Sequence, residues 1–417
     1  MSFSFIHLSD IHLGRPFSGL SEHSGNNLDV YKNAVEKSLE KVINFAITKK
    51  VDFVLISGDT FDSSEFDFSS KFIFKSFLKK LENENIQAFV VCGNHDPVSS
   101  YNKNTFNFDE NSIIKIIGLN TSLATKLPFY RKDKQIGGYI HSVSFENEKF
   151  RGKILADLTD IEQNCFNIAL LHCDIDAIIE SPYAPCSLTE LKNKNFDYCA
   201  LGHLHTPLEL ANNIYYSGTL QGRNTKEKGE HGIRYVKVQN NKIIENDFVP
   251  LDVVRYEEIE IDLSTVHNEI EAYEIVIEKI HQLILSQQNS CEAYLISLKL
   301  VGCVAFYSEI NSKFYTSLVG QIQSNFASEI YISKIENLLT PKVDDKFLKN
   351  DDGIAGELYK LLENKEELKN IYSKIFNDIG AVCNSELNTD EILFQVQQEC
   401  KNLCSDIYND KKRGLDE

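Results

Sequence analysis

The sequence of 417 residues is long enough for two or three domains, and its 42% hydrophobic and 25% charged content is that of a folded globular chain. A formal net charge of −18 excludes broad electrostatic adhesion to nucleic acid or anionic membrane, which draws its affinity from lysine and arginine neutralising phosphates. The ten cysteines are scattered mostly through apolar runs with no CxxC pair, and no basic leader or long uncharged apolar stretch occurs, so a cytoplasmic protein with reduced thiols and no membrane segment is expected.

From the N-terminus to about residue 200 the pattern alternates strand and helix. The short β-branched or aromatic runs Phe3–Leu8, Asp52–Ser57, Gln87–Cys92, Phe166–Leu171 and Asp197–Leu201 are bounded by Gly, Asp or Asn and predict central strands. Between the first two, Val35, Leu39, Val42, Ile43 and Ala46 recur at helical spacing within 30–50. Phe72, Phe77, Leu78 and Leu81 do the same within 69–85. Strands joined by helices of this length imply right-handed crossovers and a largely parallel layer.

Residues 100–165 are less regular, with short strands predicted at Ile113–Leu119 and Gly138–Phe145. From 213 to 262 the runs Ile214–Ser217, Ile233–Val238, Lys242–Val249 and Val253–Ile261 read as antiparallel sheet. A second unit follows over 253–336: helix 265–287, strand 292–300, helix 307–325 and strand 329–335. Pro341–Asp352 reads as a charged linker, and helical periodicity returns over 354–379 and 390–408. The predicted domains are thus 1–250, a smaller α+β domain over 251–340, and a linker with C-terminal helices over 341–417.

Chemistry-bearing residues gather at the ends of the apolar runs. Strand one delivers Asp10 and His12; strand two Gly58, Asp59 and Asp62; strand three Gly93, Asn94, His95 and Asp96. Strand four delivers His172, and strand five Gly202, His203 and His205. In open α/β sheets the ligand site lies at such strand ends, so five separate runs aim carboxylate, amide and imidazole groups at one place. A donor set without thiolate suits a pair of divalent ions, manganese or iron first, with zinc also possible. Asp59, central in its motif and flanked by Gly58, is the natural bridge between two ions roughly 3.5–4 Å apart. The glycines before Asp59, Asn94 and His203 permit sharp turns and close backbone approach.

Asp10-x-His12, Gly58-Asp59-x-x-Asp62, Gly93-Asn94-His95-Asp96, His172 and Gly202-His203-x-His205 together resemble the signature of the calcineurin-like metallophosphoesterases, over about residues 1–250. The resemblance implies an α/β fold, a two-sheet αββα sandwich followed by a smaller α+β capping domain and a C-terminal helical tail, with a dinuclear site. It implies that Asp10, His12, Asp59 and His205 hold one metal, and that Asp59, Asn94, His172 and His203 hold the other. His95 would then be the general acid toward the leaving oxygen, oriented by a carboxylate that is either Asp62 or Asp96.

Ser63 and Ser64 follow Asp62 where Ser/Thr protein phosphatases carry Arg-Gly, which counts against that branch. The opening His7-Leu8-Ser9-Asp10-Ile11-His12-Leu13-Gly14-Arg15, with Tyr216-Ser217-Gly218-Thr219-Leu220-Gln221-Gly222-Arg223, resembles bacterial DNA repair exonucleases of the YhaO-like branch, related to the SbcD and Mre nucleases. That resemblance implies manganese-dependent cleavage of DNA phosphodiesters with an SMC-like ABC ATPase (SbcC/YhaN-like) as partner, and a homodimer is usual among such proteins. Because −18 is awkward for a DNA enzyme, Arg15 and Arg223 are expected to contact substrate phosphates beside the metals, with the partner supplying much of the DNA affinity. The C-terminal helices either stabilise the chain or dock that ATPase. The alternative activity is a small-molecule phosphodiesterase or nucleotidase of the same superfamily.

Overall fold

Run 2–8 becomes strand β1 (Ser2–Leu8) because both of its faces are covered. Phe3 and Phe5 enter one core, while Ile6 and Leu8 enter another on the opposite side. This is seen in a computed structural model, which describes residues 2–15, 33–63, 67–101, 106–109, 111–156, 158, 161–176, 181–287, 291–326, 330–342, 345–364, 366–368, 370, 400–401, 404 and 407. The starts of the helices predicted from 30 and 390, and the end of the one predicted over 354–379, lie outside the described residues.

Strands β2 (Phe53–Ser57), β3 (Gln87–Val91) and β4 (Ile114–Ile116) extend the sheet in parallel from β1. On its other side lie β11 (Gly232–Gln239) and β12 (Lys242–Pro250), both antiparallel to their neighbours, giving the order β12-β11-β1-β2-β3-β4. A second sheet comprises β5 (Ala124–Tyr130), β6 (Ile136–Val143), β7 (Phe166–His172), β8 (Tyr198–Gly202), β9 (Leu208–Ala211) and β10 (Ile214–Tyr216). Its order is β5-β6-β7-β8-β10-β9, parallel from β6 to β10 and antiparallel at both edges.

Helices α1 (Ala34–Lys49) and α2 (Phe68–Asn83) cover the outer face of the first sheet, burying Leu39, Val42, Phe77 and Leu78 against Ile6, Val54 and Val90. Phe72, assigned by its spacing to the buried face of α2, points outward and is 65% exposed. Between the sheets lie Phe5, Phe53 and Phe89 from one side and Ile140, Phe166, Leu170 and Tyr198 from the other. Helix α3 (Leu188–Asn193) sets Leu191 against Leu171, Cys199 and Leu201 on the outer face of the second sheet. The four layers are the expected αββα sandwich.

The chain divides into two compact units: Met1–Glu257 with Gln287–Ile296 and Ser328–Ser333, and Glu258–Ser286 with Ser297–Ala327 and Lys334–Glu417. Strands β13 (Val254–Asp262), β14 (Ala293–Val304) and β15 (Ile330–Pro341) form a third sheet. In the second unit, helix α4 (Glu269–Ser286) buries Val276, Ile280 and Ile284, and α5 (Ser312–Phe326) buries Phe314, Leu318 and Ile322, both at helical spacing. Strand β15 reaches Pro341, and helix α6 (Asp345–Lys349) lies inside the expected linker. After it, α7 (Ile354–Glu363) packs Ala355, Tyr359 and Leu362 on Leu348 and Cys404.

Among the described residues no helix is long and apolar enough to cross a membrane. The nine described cysteines are free thiols, most of them at least partly buried, consistent with small apolar core residues.

Candidate metal centre

The C-terminal ends of β1, β2 and β3 from one sheet and of β7 and β8 from the other open at a common edge. The loops interlock through backbone: Asp10 N–H donates to the Gly58 carbonyl at 3.0 Å, and His12 N–H to the Asp59 carbonyl at 3.0 Å. Asp10, His12 and Asp59 all have left-handed backbone, with φ of 51°, 47° and 51°. Non-glycine residues rarely adopt it, and its concentration at functional sites reflects a surrounding structure that over-determines the geometry. Gly93 meets the close approach expected of it: a Cβ there would lie 2.1 Å from Asp59 Oδ1.

Three imidazoles turn the same atom inward. His172 Nδ1 donates to the Ser57 carbonyl at 2.9 Å, and His205 Nδ1 donates to the Glu227 carboxylate at 2.8 Å. His12 Nδ1 faces Asp62 Oδ1 at 3.2 Å. Nε2 is thereby left to the interior in each ring. His172 Nε2 lies 3.0 Å from Asn94 Oδ1 and 3.5 Å from Asp59 Oδ2. His12 Nε2 lies 3.0 Å from His205 Nε2, 3.8 Å from Asp59 Oδ2 and 3.9 Å from Asp10 Oδ1.

These donors fit bound cations. Two Nε2 lone pairs facing one another at 3.0 Å repel unless a positive charge sits with them, and Asp10 and Asp59 are nearly inaccessible to water. Burial raises the Asp10 pKa, against the pull of His172. Burial also lowers His12 well below its ordinary value, helped by the Arg223 guanidinium, so its imidazole is neutral and able to ligate. For His172 burial acts downward too, but the Asp59 and Asp10 carboxylates outweigh it and the pKa rises. Two metal-competent clusters result, Asp10 with His12 and His205, and Asp10 with Asp59 and His172; a third joins His12, Asp62 and His95.

His203 enters none of those clusters, but its ring lies edge-on to His172 with centroids 5.3 Å apart, and its backbone N–H donates to both Asp10 oxygens at 3.1 and 3.2 Å. The His95 ring centroid is 4.9 Å from that of His12, and the His95 backbone N–H donates to Asp59 Oδ1 at 3.0 Å.

The group that orients His95 differs from expectation. His95 Nδ1 donates to the backbone carbonyl of Asp62 at 2.7 Å, so neither candidate carboxylate is its acceptor. The Asp62 carboxylate is taken up with His12 and with Arg15, 3.6 Å away. Asp96 is turned inward, accepting from Gly93 N–H, Thr60 N–H and the Tyr101 hydroxyl. It ties the β2 and β3 loops together, and burial with the nearby Asp59 charge pushes its pKa up to about 7.

Arg223, expected at a substrate phosphate, is 1% exposed. Its Nη1 donates to the carbonyls of Ile11 and His12 at 3.2 and 3.1 Å, and Nη2 to Thr219 Oγ1 at 3.3 Å. Its charge is thus directed at the turn carrying His12, not at solvent. Arg15, with its side chain 35% exposed, keeps access to the open edge. Sequence reasoning missed Glu227, whose only signal is its place four residues after Arg223, between Lys226 and Lys228.

Residues 3–207 match the calcineurin-like phosphoesterase family, so the chain carries a calcineurin-like metallophosphoesterase domain around this donor geometry. Among its relatives is the uncharacterized metallophosphoesterase YhaO of Bacillus subtilis, 26% identical over 67% of this chain and 68% of its own. The SbcD component of the SbcCD nuclease from Staphylococcus epidermidis is 25% identical over 61% of this chain and 71% of its own. The DNA double-strand break repair protein Mre11 of Methanococcus maripaludis is 24% identical over 87% of this chain and 96% of its own. A solved dimetal phosphatase from Danio rerio is 11% identical at a TM-score of 0.32, covering 60% of this chain and 98% of that one.

Proposed function

We propose that the chain is a metal-dependent DNA nuclease that hydrolyses phosphodiesters in DNA repair, working with an SMC-like ABC ATPase. The observation that carries this reading is the convergence of the His12, His172 and His205 Nε2 atoms on the Asp59 and Asp10 carboxylates and the Asn94 oxygen. Relatives named as a nuclease subunit and as a DNA double-strand break repair protein support DNA as the substrate, and the first, being one subunit of its nuclease, supports a partner chain.

In the proposed assignment Asp10, His12, Asp59 and His205 hold one ion, and Asp59, Asn94, His172 and His203 hold the other. Manganese is the proposed metal. Two such ions, when bound, would neutralise the phosphate oxygens and make an attacking water more acidic. With its Nδ1–H engaged by the Asp62 carbonyl, His95 keeps Nε2 to protonate the leaving oxygen. Arg15 meets the phosphate from the exposed rim, and the Asp62 carboxylate steadies both Arg15 and His12. Residues 251–340 act as the capping domain and the helices of 341–417 as the docking element for the ATPase.

The test is a manganese-dependent nuclease assay on defined single- and double-stranded DNA, run beside His95→Ala. Cleavage by the wild type and its loss by ~100-fold or more in the variant are expected, within the range for a positioned acid. Cleavage that persists in His95→Ala would remove that residue from the mechanism. The charge of −18 favours one other reading, a small-molecule phosphodiesterase, which activity on a nucleotide ester with none on DNA would establish.

A further inference from the structure

Glu227 is a carboxylate only 9% exposed, and no step above uses it. Its Oε1 accepts from His205 Nδ1 at 2.8 Å, and its Oε2 accepts from the Arg223 backbone N–H at 2.8 Å. The Arg223 guanidinium passes on to the Ile11 and His12 carbonyls. The two oxygens of one carboxylate therefore reach both sides of the pair of imidazoles whose Nε2 atoms stand 3.0 Å apart.

The segment after Glu227 is tied down by backbone. Lys228 forms a β-bridge with Tyr256, and Gly229 N–H donates to the Tyr256 carbonyl at 2.9 Å, fixing the segment to the root of β13. Both Glu227 oxygens accept, Oε1 from the His205 ring and Oε2 from the Arg223 backbone N–H, as a carboxylate does. An ionised carboxylate can only accept, so His205 must carry its hydrogen on Nδ1 and present Nε2 as a lone pair.

We propose that Glu227 is a positioning residue of the metal centre: it sets the tautomer and orientation of His205 directly, and the Asp10–His12 turn through Arg223. It acts on the ion position served by Asp10, His12 and His205, and leaves the position served by Asn94 and His172 alone. The inference rests on the reading of this cluster as a metal centre, and deepens it. Removing a carboxylate that orients a ligating histidine costs ~10–100-fold in metal affinity.

The experiment is calorimetric titration of the full-length chain with manganese alone, for wild type, Glu227→Gln and His205→Ala, with metal-free thermal unfolding of each. Two binding events are expected in the wild type. In Glu227→Gln one event should weaken by tenfold or more, the same event that His205→Ala weakens, while the other stays within about twofold. Metal-free melting should remain close to that of the wild type. Should the glutamine variant not fold, Glu227→Asp, which keeps the charge one methylene shorter, should weaken the same event by a smaller factor.

Both events unchanged in a folded variant would overturn the proposal. So would an equal loss of both, or a loss confined to the event that His205→Ala leaves intact. A wild type that takes up no manganese, and no iron or zinc when the titration is repeated with each, would instead overturn the metal-centre reading itself.

Discussion

His7 stands three residues before Asp10, yet its ring faces the space between the sheets. Its Nδ1 lies 3.0 Å from the Tyr198 hydroxyl and its Nε2 3.2 Å from the Leu201 carbonyl. A carbonyl only accepts, so Nε2 carries the hydrogen and Nδ1 takes the tyrosine proton; the neutral ring is fully satisfied. Burial first, and the Arg234 guanidinium second, lower its pKa to about 3. Between there and the unfolded value of about 6.5 the unfolded chain binds the extra proton, so stability is present above that window and lost as pH falls through it. His7→Asn should therefore lack about 2 kcal/mol of the stability that the wild type loses between about pH 7 and pH 5. Urea unfolding at both pH values checks this, and equal pH slopes for the two proteins would refute it. The residue scale also marks the limit of what was legible. Asp10, His12, Asp59, Asn94, His172 and His205 could be read because each ends an apolar run, and a site at strand ends needs such groups there. Glu227 could not be read, because its partner His205 is fixed by folding and not by spacing. Nor could the burial of Arg223, since an arginine in a Gly-rich loop looks the same whether it faces water or a carbonyl.

At the scale of elements, the strands covered on both faces were legible, whereas the two edges of the second sheet were not. Strands β5 and β9 close the second sheet, and both went unseen. β5 contains Pro128, which lacks the N–H a central strand would need but is tolerated at an edge, and most of its residues are only half-buried. Helix starts were set by caps that periodicity does not see. Expected from 265, α4 begins at Glu269, because Asn268 Oδ1 accepts the Ile270 and Glu271 N–H groups, both at 3.0 Å. The Asn268 amide also donates to Glu271 at 2.8 Å. Expected from 307, α5 begins at Ser312 because Asn311 Oδ1 accepts from Lys313 N–H at 2.9 Å. Asn268→Ala should destabilise the second unit by about 1 kcal/mol, seen as earlier unfolding of that unit's transition, whereas Asn268→Ser should cost less. Identical melting of Asn268→Ala and wild type would show that the cap adds nothing.

For the whole molecule, the charge and the site make opposing demands on DNA. Each phosphate neutralised by a lysine or arginine releases counterions, so the logarithm of the binding constant falls with the logarithm of salt concentration by about 0.9 per contact. The guanidinium of Arg223 is directed at the Ile11 and His12 carbonyls, which leaves Arg15 as the basic group of the proposed pair placed to reach phosphate. A chain of net charge −18 with so few such contacts should bind duplex DNA weakly, with a salt slope shallower than about 2. Arg15→Ala should flatten that slope by about one contact, while Arg223→Lys should leave it unchanged and act on metal retention instead. The proposed ATPase would add its own basic contacts, so the slope of the complex should be steeper than that of the isolated chain. Fluorescence anisotropy across a salt series, with inert metal present to prevent cleavage, measures all four slopes. A slope near ~6 for the isolated chain would mean that it carries its own basic track, and the argument that affinity comes from the partner would fall.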